Sequence, residues 1–381
     1  MTYFNCASTS KIEEGVLNDF IYAAKLYWQN PSDVSQGGLE SKESIKNAQK
    51  QIANSINAKQ EEIIFTSGGS ESNNLAIKGY VDNYNIDLIF TTMIEHPSVY
   101  NTCLFCEEHG VKLIYVPVDK FGFVDLNYLE SKMEEYSSKN KKMLVSIMLA
   151  NNEIGTIQPV KNIADIAHRY DSNLHVDAVQ AYMHMPIDVE AMGIDMMSTS
   201  FHKFGGFKNC GFLYVREGIE LTPLIHGGHQ FNSMRAGTEN VPMIYAMGNH
   251  VERLNSENSD DLFRYAFMSI IEHNGKEYDV FINGSIQSRL YNNLSLTFKG
   301  ISADTLIGLL EMQGVYVSAG SACCSGEKTP SRVLKAIGLS DEEAFSTIRV
   351  SLCSDTTKKD IDFFVEKLVE CIGSIKMFMK E

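Results

Sequence analysis

Between about residues 60 and 215, short β-branched apolar runs alternate with stretches whose apolar positions recur at helical spacing. Residues 63–66 predict a strand that passes through Gly68-Gly69 into a helix holding Asn74-Leu75-Ala76-Ile77. Residues 88–91 predict the next strand, before a helix around 99–108 that Gly110 closes. Further strands are predicted at 113–116, 143–149, 174–176, 196–198 and 212–215, with helices near 126–136 and 163–170. Alternation at this spacing predicts an α/β fold with a mostly parallel central sheet. After about residue 255 the texture changes: the polar run Asn255-Ser256-Glu257-Asn258-Ser259-Asp260-Asp261 opens a second set of shorter elements. The expected division is a large domain over 13–254 and a smaller α+β domain from 1–12 and 255–381. No internal repeat interrupts either part.

The apolar fraction of 44% with 21% charged residues is an ordinary globular balance. Forty-eight acidic against 33 basic residues leave a net charge of −15, which repels phosphate backbones and argues against nucleic acid as a partner. Charges and amides cut every apolar run well short of the roughly 18 residues a membrane span needs. The N-terminus has neither the basic start nor the apolar core of a signal peptide, so a cytoplasmic setting without membrane contact is expected. There, the eight cysteines (6, 103, 106, 210, 323, 324, 353 and 371) are expected to be mostly reduced, small buried side chains. Cys103 and Cys106 form a lone C-x-x-C with no second pair at zinc distance, so no metal site is expected. Cys323-Cys324 is the exception, lying among small residues where a thiol is exposed.

Three strand ends carry unusual chemistry. Thr66-Ser67-Gly68-Gly69-Ser70-Glu71-Ser72-Asn73-Asn74 is a strand-to-helix turn. Its glycines allow close backbone approach, and a helix start offers free N–H groups to one phosphate; a plain cap reads equally well. Asp177 closes the apolar strand of Leu174-His175-Val176, where burial is costly unless a cation meets it. A protonated cofactor ring nitrogen is one such cation; a helix N-cap or an ion pair is the commoner role of a lone Asp. Lys203, in Ser200-Phe201-His202-Lys203-Phe204-Gly205-Gly206, sits among apolar and glycine residues, where desolvation lowers a lysine pKa as imine chemistry needs. Phosphate turn, strand-end Asp and downstream Lys together match the parts that pyridoxal 5'-phosphate requires.

Further motifs keep the same order along nearly the whole chain: Ala7-Ser8-Thr9, Asn30-Pro31-Ser32, Glu95-His96, Asn151-Asn152-Glu153-Ile154-Gly155, Arg235-Ala236-Gly237-Thr238-Glu239-Asn240, Ser318-Ala319-Gly320-Ser321-Ala322-Cys323 and Ile348-Arg349-Val350-Ser351. With them the chain resembles the cysteine desulfurases, in the fold-type-I, class-V aminotransferase-like group of pyridoxal phosphate enzymes. The resemblance implies that Lys203 holds the cofactor as an imine and shuttles the Cα proton. His96 stacks on the ring and assists proton transfer, and Asp177 pairs the ring nitrogen. Asn152 and Gln180 touch the phenolic oxygen, while Gly69, Ser70, Ser200 and His202 hold the phosphate. Thr238 reaches the phosphate of a partner subunit, which implies a homodimer. Arg349 clamps the carboxylate of L-cysteine, with Asn152 beside it. Cys323 takes the sulfur as a persulfide, L-alanine leaves, and the long loop from 321 to 331 carries sulfur to an acceptor protein. That acceptor is open among an iron–sulfur scaffold, a tRNA-thiolation protein and a specialised carrier.

Several positions depart from the family pattern. Phe201 replaces a glycine beside the cofactor lysine, Phe207 and Asn209 stand where Pro and Gly are usual, and Ser35 stands for a histidine. The stretch Gly227-Gly228-His229-Gln230-Phe231-Asn232-Ser233-Met234 differs, and Asn5 followed by Cys6 replaces an aspartate. These changes are expected on the entrance and dimer-side walls. Cys324, where a hydroxyl residue is more usual, reads either as a tolerated small residue or as a second sulfur-handling thiol. A selenocysteine lyase or related β-eliminating enzyme, and a non-catalytic sulfur-relay scaffold, stay as alternatives.

Overall fold

The computed structural model describes residues 2–254, 265–266, 269, 279–319 and 329–378. Its main sheet has seven strands: β2 (Ile63–Thr66), β3 (Leu88–Thr92), β4 (Lys112–Val116), β5 (Met143–Ser146), β6 (Asn173–Asp177), β7 (Met196–Ser198) and β8 (Gly211–Val215). They lie in the order β2-β8-β7-β6-β5-β3-β4, all parallel except β8, which runs antiparallel to both β2 and β7. β2, β3, β5, β7 and β8 are buried along their whole length, which is why they read as unbroken apolar runs.

Alternate side chains on these strands serve two cores. Ile64, Ile89, Leu144 and Leu213 face α3 (Gly69–Tyr84) and α4 (Pro97–Glu108), through Leu75, Ile77, Val99 and Cys103. Phe65, Phe90, Val145 and Phe212 face the opposite layer, with Ile45 and Ile52 of Gln36–Ser55, Ile163 of Val160–Arg169 and Ile244 of Val241–Arg253. The predicted strand over 143–149 stops at Ser146. Beyond it the chain stays beside β6, since the Ile147 and Leu149 N–H groups donate to the His175 and Asp177 carbonyls.

A second core packs Leu294, Leu296, Ile348 and Val350 against Phe364, Leu368 and Ile372 of the helix Lys358–Phe378. Phe4 joins it. Its antiparallel sheet runs in the order Ser318–Ala319, Thr347–Ser351, Asn293–Phe298, Val280–Ile282. Among the described residues, no helix is long and apolar enough to cross a membrane.

Two expectations need correction. Cys6 and Cys353, expected as reduced thiols, are joined by a disulfide with Cα atoms 5.4 Å apart. A parallel bridge between Asn5 and Ser351 sets the two segments side by side, which sequence spacing could not reveal. The other four described cysteines, 103, 106, 210 and 371, are free and buried as expected. Phe201 is not on the cavity wall: its ring is wholly buried against Phe204 and His250, at 5.3 and 5.8 Å between centroids. Gly206 makes the room, because a Cβ there would run into that ring. Ser35, which is exposed, N-caps the helix Gln36–Ser55, accepting from the Gly38 N–H at 3.3 Å.

Candidate active site

The parallel strands end at a cavity of about 190 Å³. It is lined by nine of the residues singled out in the sequence: Gly69, Ser70, His96, Asn152, Asp177, Gln180, Ser200, His202 and Lys203. Ser98, Met148 and Val179 complete the wall. Each predicted residue follows the carboxyl end of a strand, the usual place for a ligand in such sheets. Gly69 and Ser70 open α3 after β2, His96 N-caps α4 after β3, and Asp177 ends β6. Gly68 has a φ of +129°, and a Cβ on Gly69 would sit 2.6 Å from Val179 Cγ2. The turn needs both glycines.

Asp177 is buried and accepts from the Val179 N–H at 3.0 Å and from Asn73 Nδ2 at 2.8 Å. Among the described residues no Lys, Arg or His lies within ion-pair distance of it. A carboxylate so placed fits a cationic ring nitrogen, which supplies the charge the protein withholds. The same Asn73 amide donates to Ser98 Oγ at 2.8 Å, and the Ser98 hydroxyl lies 2.7 Å from His96 Nδ1. Because the Ser98 backbone N–H also donates to Nδ1, at 3.2 Å, that nitrogen accepts and the ring proton resides on Nε2. Burial holds the imidazole below its ordinary pKa, with Asp177 pulling the other way. Under the His96 turn, buried Glu95 accepts from Thr92 Oγ1 at 2.7 Å and from the Met148 N–H at 3.1 Å. Burial pushes its carboxyl up to about 8.

Lys203 Nζ donates to the carbonyls of Ala7 and Ser8, each at 2.8 Å. Burial first, then the Arg349 guanidinium, bring its pKa down to about 8. His202, whose Nδ1 is 3.2 Å from Thr9 Oγ1, is lowered to about 4 by burial and by Lys203. Gln180 Nε2 donates to the Ala7 carbonyl at 2.9 Å. Arg349 lies beside this group, donating to the Asn152 carbonyl at 2.9 Å, to Asn5 Oδ1 at 3.0 Å and to Ser8 Oγ at 2.7 Å. Its buried Nε has no partner.

One predicted residue stands apart. Thr238 is exposed on the loop before Val241–Arg253 and does not enter the cavity. Cys323 and Cys324 lie outside the described residues. The segment after them is fastened to the site's own turns: Ser331 Oγ donates to Glu153 at 2.5 Å, and Arg332 donates to the Met93 and Glu95 carbonyls at 2.8 and 2.6 Å. Asn73, Ser98 and the Asn5–Ser8 segment were missed as site residues. Asn73 lay within the quoted phosphate turn and Ser98 two residues past His96, but nothing in the sequence tied them to Asp177.

Hydroxyls and a helix start for one phosphate, an unpaired buried carboxylate, an imidazole and a low-pKa lysine fit pyridoxal 5'-phosphate. The aminotransferase class-V family profile matches residues 2–364. The cysteine desulfurase IscS of Dictyoglomus turgidum is 39% identical over 387 residues, spanning 100% of this chain and 97% of the relative. The chain belongs to the cysteine desulfurases. Its fold matches that of a solved NifS-like protein at a TM-score of 0.90 and 33% identity, covering 98% and 100% of the two chains. SspA, solved in complex with cysteine, matches at a TM-score of 0.82 and 36% identity over 92% and 99%. The cofactor of this cysteine desulfurase is pyridoxal 5'-phosphate, the fold is fold-type I, and the substrate is cysteine.

Proposed function

We propose that this cysteine desulfurase draws sulfur from L-cysteine as a persulfide on Cys323, releases L-alanine, and passes the sulfur to an acceptor protein. The observation that carries this reading is the meeting of Asp177, without a cation, and Lys203, with its pKa near 8, in one cavity, while Arg349 holds the carbonyl of the cavity residue Asn152 and keeps a free Nε. Bound there, the cofactor supplies an electron sink for charge developing at the substrate Cα.

The chain's own groups do the rest. Arg349 binds the substrate carboxylate, and its planar fork suits two oxygens at once. Asn152 is held beside it through its carbonyl. Lys203, neutral for part of the time at neutral pH, takes and returns the Cα proton at Nζ. His96 presents Nε2–H to the cavity and donates from there. Gly69, Ser70, Ser200 and His202 would hold the cofactor's phosphate, and Gln180 and Asn152 would bind its phenolic oxygen. That SspA was solved with cysteine supports the choice of substrate.

The working unit in this reading is a homodimer in which Thr238 reaches the partner's phosphate site. Its exposure supports that role, as do Leu17, Ile21 and Leu26 on the helix Glu14–Leu26 and the 73% exposed Trp28. The division into 13–254 and a smaller part, 1–12 with 255–381, is supported by Phe4 packing in the second core. The setting is the cytoplasm. One experiment tests the chemistry: alanine and sulfide formed from L-cysteine under a reducing thiol, with and without Cys323. Sulfide release that persists in Cys323→Ala would count for direct β-elimination instead.

A further inference from the structure

The Cys6–Cys353 disulfide joins two positions that the chemistry above does not use, yet it lies against the groups that do. Residues 5–8 form a short strap. Its Ala7 and Ser8 carbonyls hold Lys203 Nζ, while Asn5 Oδ1 and Ser8 Oγ hold the Arg349 guanidinium. The strap is itself tied to the strand Thr347–Ser351: the Ala7 N–H donates to Ser351 Oγ at 2.9 Å and the Cys6 N–H to the Ser351 carbonyl at 3.4 Å. The disulfide is the one covalent tie in that set. Cys6 is buried, but Cys353 is half-buried and lines an open groove of about 390 Å³ with Tyr3, Thr9, Ser10 and Lys11.

We propose that Cys6 and Cys353 are positioning residues of the desulfurase site: their disulfide holds the strap that aims Arg349 at the substrate carboxylate. Low-molecular-weight thiols and disulfides entering the groove at Cys353 open and close it. The inference rests on the roles given above to Lys203 and Arg349. In opening, a small thiolate attacks Cys353 Sγ, the S–S bond breaks, and Cys6 leaves as a thiolate that takes a proton. A second small thiolate then attacks the incoming sulfur of that mixed disulfide and frees Cys353. Two small thiols are oxidised to one disulfide while the protein pair gains two electrons; closing by a small disulfide runs the same steps backward. L-Cysteine is itself such a thiol, so accumulating substrate loosens its own clamp.

The test uses full-length holoenzyme carrying Cys323→Ala and Cys324→Ala, which removes the other reactive pair. The protein is poised in reduced or oxidised glutathione, and thiols are counted after denaturation. L-Alanine is then titrated by the visible absorbance of the bound cofactor, because it carries the carboxylate and no thiol. Oxidation is expected to hide two thiols and to tighten L-alanine binding about fivefold, the low end of ordinary coupling between sites. Adding Cys6→Ala and Cys353→Ala is expected to give the weaker affinity at every poise; the reduced parent protein gives the same comparison if that variant does not fold. Equal affinity in the two states, or a pair that never oxidises, overturns the clamp alone. No response to L-alanine in either state overturns the substrate-site reading and the clamp with it.

Discussion

The two halves of the site hold their side chains by different means. At the ends of β2, β3, β6 and β7, each group sits within a few residues of a strand end, and Asn73 and Ser98 link neighbouring turns into one hydrogen-bonded row, although Lys203, Gln180 and His202 also reach the 7–9 segment. The strap and the strand Thr347–Ser351 instead meet across 344 residues of sequence, where Arg349 reaches Asn5. The backbone positions of the cofactor half are therefore set locally, one strand end at a time. The substrate half depends on how two distant segments dock, and that makes it the half open to adjustment.

The difference predicts a graded set of outcomes. Lys203→Ala is expected to lower alanine formation from L-cysteine by about 10⁴-fold, the upper range for a positioned acid–base group. Loss of the visible band of the bound cofactor, read in the same sample, checks that the defect is in the cofactor half. Arg349→Ala belongs to the other half: it is expected to raise KM for L-cysteine by about 1.5–3 kcal/mol of lost binding, the range for hydrogen bonds to charged groups. The cofactor spectrum is expected to survive; its loss would merge the two halves into one.

Uptake of cofactor by the apoprotein is expected to quicken as pH rises through about 8, because Lys203 must be neutral to attack the aldehyde. In Arg349→Ala that midpoint should move up, since a neighbouring positive charge has gone. A midpoint near the ordinary lysine value in the parent protein would contradict the burial of Nζ. The smallest effect is expected from Ser98→Ala, about 0.5–1.5 kcal/mol in kcat/KM, because the Ser98 backbone N–H still fixes His96 Nδ1 as an acceptor. Ser98→Thr, which keeps the hydroxyl, should restore most of it.

The strands of the main sheet were legible because both their faces are covered, so apolar runs mark them without ambiguity. The helix Gln36–Ser55 was not: it buries Gly38, Ser41, Ser44 and Ala48 along with its two isoleucines, and small residues make no visible apolar stripe. The nine cavity residues were legible as motifs because each belongs to one strand end. Phe201 misled for a related reason. Its neighbours Ser200 and Lys203 face the cavity, but a three-residue turn sends the ring between them into the core.

The amino-acid sequence by itself determined the family, the cofactor chemistry and the identity of nearly every group around the cavity. Those signals are local, a strand end and its turn at a time, and survive without knowledge of packing. Only the tertiary structure decided that Cys6 meets Cys353, that Asn73 joins Asp177 to the His96 turn, and that the strap lies on Lys203 and Arg349. Each of these is a contact between segments separated in sequence, set by tertiary packing rather than by any pattern along the chain.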